Sequence, residues 1–223
     1  MPLLTIVLVL LAPGLAPLPT QRVPTLEVMT LPTEISLFPL PEVVLFPGVS
    51  RPLLIFESRY REMVADALKG NRVMGMVRLR PGFEKDYEGR PPIYGIGCAG
   101  IIEEYEKLPD GRYVILLRGR TTFRVLAEDQ SKPYRIGRIE SIPELLKEDD
   151  RDTLNTVRAR VEELLYTVLP PGADPPDPSL DDAGFVNIVA QNLGMPESAR
   201  QDLLERNSVL ERARALADLL EKK

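Results

Sequence analysis

The chain has 223 residues, 44% of them hydrophobic and 27% charged, with a formal net charge of −5, which is the make-up of a globular protein with one large domain or two small ones. The acidic balance supplies no global positive field for nucleic acid or an anionic membrane. With no histidine and one cysteine, Cys98, the chain has no internal disulfide, no Cys/His zinc site and no histidine-activated nucleophile.

Residues 3–12, LLTIVLVLLA, form an apolar run too short for a membrane span. As a signal peptide the run lacks a preceding Lys or Arg, and Pro17 directly follows Ala16 at the best cleavage site. Three readings therefore stand for this end of the chain: translation from Met29, a signal or tethering segment, or a disordered tail. The expected location is the cytoplasm, with export or tethering through residues 3–12 as the alternative.

Beyond it the period of the apolar residues divides the chain. From 34 to 143 they come in short runs bounded by Pro, Gly and Asp-Gly, and from about 148 they recur at helical spacing. The expectation is an α+β chain in three parts: an N-terminal segment 1–33, a small β barrel with one inserted helix over 34–143, and a helical bundle over 144–223 with a Pro-rich linker at 170–178. In ISLFPLPEVVLFPG, 35–48, Leu-Phe-Pro occurs twice. Proline cannot donate to a ladder, so these pieces belong at edges or bends.

Strands are predicted at 73–79, 98–106, 113–119, 121–128 and 134–142, with Pro109-Asp110-Gly111 turning the second into the third. In ESRYREMVADALKG, 57–70, Tyr60, Met63, Val64, Ala67 and Leu68 fall on one helical stripe, with Ser58 as N-cap and Gly70 as stop. This helix should cover an open end or face of the barrel. Further helices are predicted at about 150–169, from a cap at Ser179 to Gly194, at 196–205, and from a Ser208–Glu211 capping box onward. Their inward residues include Leu154, Val161, Leu165, Val186, Val189, Leu210, Ala213, Leu216, Leu219 and Leu220.

Few motifs carry chemistry. Gly95-Ile96-Gly97-Cys98-Ala99-Gly100 spells G-x-G-x-x-G, but a hairpin pattern follows where a dinucleotide site needs a helix, so the glycines read as close strand approaches or bulges. The acids at 103–106, 148–150 and 181–182 read as solvated faces and helix starts. Cys98 reads as a small buried hydrophobe. No catalytic residue, metal site or cofactor is expected. Arg112, Arg118, Arg120, Arg124, Arg135 and Arg138 lie on adjacent predicted strands and could track a phosphate backbone, although Glu103, Glu104, Glu128 and Glu140 are interspersed. Phe83 and Tyr87 stand in the polar loop RPGFEKDYEGRPPIY, where they either meet a ligand or plug the barrel.

The segments ISLFPLPEVVLFPG, RPLLIFESRYREMVADALKGNRVMGMVRLRPG, YGIGCAGIIEEYEKLPDGRYVILLRGRTTFRVL and DLLERNSVLERARALADLL together resemble the N-terminal substrate-binding domain of Lon protease over residues 34–223. That resemblance implies a PUA-like β barrel followed by a helical bundle. It also implies a stand-alone form, since the chain stops where the ATPase and Ser-Lys peptidase modules of Lon would start. Two positions depart from the family: Ser58 where Pro is common, and Thr122 where Arg is common. The resemblance points to a non-enzymatic module that holds unfolded or partly unfolded polypeptide, with a separate protease or chaperone as receiver. Phe83 and Tyr87, with Phe38 and Phe46 as rim residues, are the expected peptide contacts. Arg118, Arg120 and Arg124 are the contacts of the alternative, an RNA-binding module.

Overall fold

The structure is a computed structural model that describes residues 31–83, 89–144, 147–170 and 172–222. It is mixed α+β, as expected. Six strands, β1 (Glu34–Leu40), β2 (Ser50–Ile55), β3 (Val73–Arg78), β4 (Ile96–Lys107), β5 (Tyr113–Asp129) and β6 (Arg135–Ile142), make one sheet in the order β2-β5-β4-β3-β1-β6. Because β5 also pairs with β6, five strands close into a ring and β2 hangs on the first half of β5.

β5 is one strand where the sequence predicts two. The predicted break, near Gly119 and Arg120, is a bulge: Ala99 of β4 pairs with Thr121, and Gly100 with Gly119, leaving Arg120 over. Leu126 is left over in the same way against β6. Bulges bend and twist a strand without ending it, which lets the first part of β5 pair with β2 and its second half, from Thr122 to Asp129, with β6. Between the halves of the other hairpin, Gly111 takes φ +84°, the left-handed value that the predicted turn demands.

The repeated prolines find their place in this pairing. β1 runs antiparallel to β6 through Glu34–Leu37 and parallel to β3 through Leu37–Leu40. Pro39 follows the last residue bonded to β6, so its missing N–H removes no ladder bond on that side. The parallel pair β1/β3 needs a crossover, and α1 (Ser58–Lys69) provides it. The cap differs from the expected one: Glu57 is the N-cap, without a side-chain capping bond, and Ser58 is already helical, its Oγ accepting from Arg61.

The alternation of each strand sorts side chains into two cores. Ile35, Leu37, Val73, Val77, Ala99, Ile101, Phe123 and Ile139, drawn from all five ring strands, fill the barrel. The space is tight enough that a Cβ at Gly97 would lie 2.9 Å from Cζ of Phe123 and overlap the Met76 carbonyl, so the second glycine of the G-x-G-x-x-G string serves packing. The outward set, including Phe38, Leu40, Met74, Met76, Cys98 and Ile102, joins a larger core with α1 and the C-terminal helices. The helix α1 thus covers an outer face of the barrel, with Tyr60 meeting the Phe38 ring edge-on at 4.7 Å.

The C-terminal helices are α2 (Arg151–Val168), preceded by a 3₁₀ turn Glu148–Asp150, then α3 (Asp182–Asn192), α4 (Glu197–Leu204) and α5 (Val209–Leu220). Residues 170–178 carry no helix or strand among those described, in keeping with five prolines. The expected cap Ser179 is displaced by Asp181, whose side chain accepts from the Gly184 N–H at 2.7 Å. Asp177 instead accepts from the Ser179 N–H. The capping box of α5 forms as predicted at its first half, with Ser208 Oγ accepting from Glu211 N–H at 3.2 Å, while the Glu211 carboxylate takes the N–H of Asn207.

Helices and barrel meet at residues 41–49, a segment with no strand ladder of its own although Val43, Val44, Leu45 and Phe46 are all buried. Buried backbone must find partners, and α3 supplies them. Gln191 donates to the Val44 carbonyl (2.9 Å) and accepts from the Phe46 N–H (3.3 Å), and Asn187 donates to the Pro47 carbonyl (3.1 Å). Arg212 of α5, 1% exposed, lies 5.7 Å over the Phe46 ring and donates to Leu203 O, Asn187 Oδ1 and Glu144.

Candidate client-binding cleft

Two residues expected at the rim of a peptide site belong to the core instead. Phe38 is 3% exposed beneath Tyr60, and Phe46 is 0% exposed beneath Arg212, because helices cover both the outward face of β1 and the segment that follows it. Phe83 is 40% exposed. Tyr87 lies outside the described residues.

The expected arginine stripe is not assembled. Paired residues share a sheet face: Arg118 sits opposite Ile101, a barrel-interior residue, whereas Arg124 sits opposite Ile96, on the other face. The bulge at Arg120 is what switches the alternation between them. Arg118 is also ion-paired with Glu103 at 3.7 Å, Arg112 with Asp110 at 2.7 Å, and Arg124 and Arg138 stand opposite Glu140 and Glu34.

What the fold does assemble is a cleft of about 210 Å³ between the start of α1, the loop after β3 and the start of β6. Tyr60, Leu79 and Tyr134 line it together with Pro39, Pro91 and Pro133, and the charged lining residues described are Arg59, Arg90 and Arg135. Its walls are held by specific bonds. Past β3 the loop base is closed by the Leu79–Ile93 bridge and by Arg80 N–H to Pro92 O and Tyr94 N–H to Arg78 O, each 2.9 Å. Arg135, 6% exposed, donates to Pro91 O (2.6 Å) and to Glu128 (2.7 Å). Arg90 donates to the carbonyls of Asp129 (3.1 Å) and Lys132 (3.2 Å).

The opposite wall is joined to α1 through Asp66, which accepts from the Tyr134 hydroxyl at 2.9 Å and from Lys132 at 3.2 Å. Those two bonds, the tyrosine's first, hold the Asp66 carboxyl below the usual carboxylate range. Burial, followed by the bond to that anion, pushes the Tyr134 phenol up to about 12. Sequence reading missed this constellation because its members are spread over residues 39–135. The available signal was local: Pro133 flanks a predicted strand beside Tyr134, and Pro91 follows Arg90 in the polar loop.

The described residues of the cleft lining include no Cys, Ser, Thr, Lys, Asp or Glu. Cys98 is 0% exposed on the outer face of β4, and burial pushes its thiol up to about 12. Among the described residues no group of three or more Cys, Asp or Glu could hold a metal ion, and no helix is long and apolar enough to cross a membrane.

Residues 34–222 match the family described as the ATP-dependent protease La (LON) substrate-binding domain. A Lon protease of Trichlorobacter lovleyi is 30% identical over 202 residues, covering 87% of this chain and 24% of its own length, and that of Flavobacterium johnsoniae is 25% identical over 190 residues. The chain therefore spans about a quarter of the length of these bacterial relatives. In structure it is similar to a Lon N-terminal domain protein from Xanthomonas campestris (TM-score 0.59, 23% identity, 83% of this chain and 97% of that one). The N-terminal domain of a Mycobacterium avium complex Lon protease is likewise similar (TM-score 0.61, 14% identity, 84% and 98%). With the family match spanning nearly all of the described residues, this chain belongs to the Lon substrate-binding domain family.

Proposed function

We propose that the protein is a non-catalytic polypeptide-binding module that holds exposed apolar segments of unfolded or partly unfolded clients. The observation that carries this reading is the Tyr- and Pro-lined cleft with Phe83 exposed on the loop that borders it. Apolar contact surface with a few fixed polar groups is the usual make-up of a binding site. Proline and tyrosine offer it with little side-chain entropy to lose. Membership of a substrate-binding family supports the same reading, and a buried thiol pushed up to about 12 offers no nucleophile.

Phe83 and Tyr87 are the contacts to test. Fluorescence anisotropy with a labelled, permanently unfolded polypeptide measures the affinity. The Phe83→Ala/Tyr87→Ala double variant is expected to weaken binding about tenfold with its circular dichroism and thermal midpoint unchanged. Unchanged affinity in the folded variant removes these residues from the site. Displacement by unlabelled single-stranded RNA, with affinity falling steeply as salt is added and in Arg118→Glu, would favour the RNA-binding alternative.

A further inference from the structure

The cleft lining is polar and apolar in about equal measure, and its three described cations are not equivalent. Arg135 is neutralised by Glu128 at 2.7 Å and Arg59 by Glu57 at 3.0 Å. Arg90 differs. Its two hydrogen bonds go to the backbone carbonyls of Asp129 and Lys132, and it forms no ion pair among the described residues. Asp129 on the same wall turns its carboxylate to the Ser131 N–H at 2.5 Å; that bond chiefly, with the Arg90 charge adding a smaller part, holds it below the usual carboxylate range.

Two carbonyl anchors have a physical consequence. They take up two of the five guanidinium N–H donors and fix the plane of the fork, so the remaining donors are presented with little rotamer entropy left to lose. Neutral carbonyl anchors leave the guanidinium without a directly bonded counter-charge, the Asp129 carboxylate acting on it only at longer range, and a carboxylate is the group whose geometry matches the fork. Around it stand two tyrosines, three prolines and Leu79, and among the described lining residues there is no acid. Apolar contact and a positive charge thus lie within one cleft of about 210 Å³, room for one large side chain and the group beside it.

Resting on the polypeptide-binding reading above, we propose that this cleft selects client segments in which an aromatic or large apolar residue stands next to a carboxylate, the apolar side chain entering the cleft beside the exposed Pro133, over the largely buried rings of Tyr60 and Tyr134, and the carboxylate meeting Arg90. The selection is for chemistry rather than for one sequence. An Asp or Glu beside the ring satisfies it.

Three labelled dodecapeptides of otherwise identical Gly/Ser sequence, carrying a central Phe-Glu, Phe-Gln or Ala-Glu step, test this by anisotropy on the full chain at moderate salt. Phe-Glu is expected to bind about tenfold more tightly than Phe-Gln and than Ala-Glu. In Arg90→Gln, where the two wall bonds are lost with the charge, the Glu/Gln difference should vanish while Phe-Gln binds as tightly as to the parent, whereas Arg124→Gln should retain the difference. Equal affinity for Phe-Glu and Phe-Gln, both above Ala-Glu, overturns the carboxylate preference and leaves apolar capture standing. A Glu/Gln difference that survives in Arg90→Gln overturns the role of Arg90. Ala-Glu binding as tightly as Phe-Glu overturns the paired requirement, and no binding of any peptide overturns this proposal and the polypeptide-binding reading together.

Discussion

Cys98 shows how burial converts a reactive group into packing. Its sulfur sits among the outward residues of β4, fully buried, with the Ala99 carbonyl as a weak acceptor at 3.5 Å and the backbone of Arg120 and Thr121 beside it. The folded protein should therefore resist an aromatic disulfide reagent until it unfolds. Proton counting sets the alkaline behaviour: the folded thiol keeps its proton to about pH 12, whereas an ordinary thiol releases it near 9.0. Between those values the unfolded state holds fewer protons, so stability falls as pH rises. Tyr134, raised from 10.0 to about 12, adds a second decline that begins higher. Urea melts between pH 9 and 10 should show a flatter decline in Cys98→Ala than in the parent. Thr122, opposite Cys98 across the β4/β5 ladder, is 4% exposed and its hydroxyl has no partner among the described residues. An unsatisfied buried hydroxyl costs about 1–3 kcal/mol, so Thr122→Val, nearly isosteric, should stabilise the fold by about 1 kcal/mol in denaturant unfolding. Destabilisation instead would mean that the hydroxyl is satisfied in solution.

Among the elements, α3 departs most from its expected form. Its cap is Asp181 rather than Ser179, two residues later in a stretch where Ser and Asp both have N-cap chemistry. Asp181→Ala should cost about 1 kcal/mol and Ser179→Ala close to nothing in the same unfolding assay. The opposite order would place the helix start at the serine. The buried face of α3 also carries two amides, Asn187 and Gln191, one turn apart at i and i+4. A search for apolar stripes finds Val186 and Val189 and passes over both amides. Their partners, the backbone groups of Val44, Phe46 and Pro47, lie about 140 residues earlier. The i+4 spacing of two amides was visible, but nothing local says which backbone they serve. β5 makes the same point for strands: its alternation is legible, while the bulge that joins its halves depends on how β4 registers against it.

At the scale of the whole molecule, one apolar core runs from α1 and the outer barrel face through residues 43–46 into α2, α3 and α5. Barrel and helices share that core, and Arg212 is its polar pivot. Removing one partner of a buried, hydrogen-bonded charge costs about 3–5 kcal/mol. Arg212→Met, similar in length, should therefore lower stability by about that much while the unfolding transition remains single. A loss under about 1 kcal/mol would mean that Glu144 and Asn187 find water instead. The same assembly decides the candidate site, since the cleft forms only when the start of α1, the loop after β3 and the start of β6 meet.

By itself the sequence determined the division into a β part and an α part, the inserted helix, the 109–111 turn, the Pro-rich linker and the exclusion of histidine chemistry. These follow from periodicity, turn residues and composition, each readable within a window of a few residues. Only the tertiary structure decided that Phe38 and Phe46 are buried, that Arg118 and Arg124 point to opposite faces, and that Arg90 stands in a cleft with Tyr60, Tyr134 and three prolines. Each of those depends on which strand or helix covers a given face, and that is set by register and packing between residues far apart in the chain.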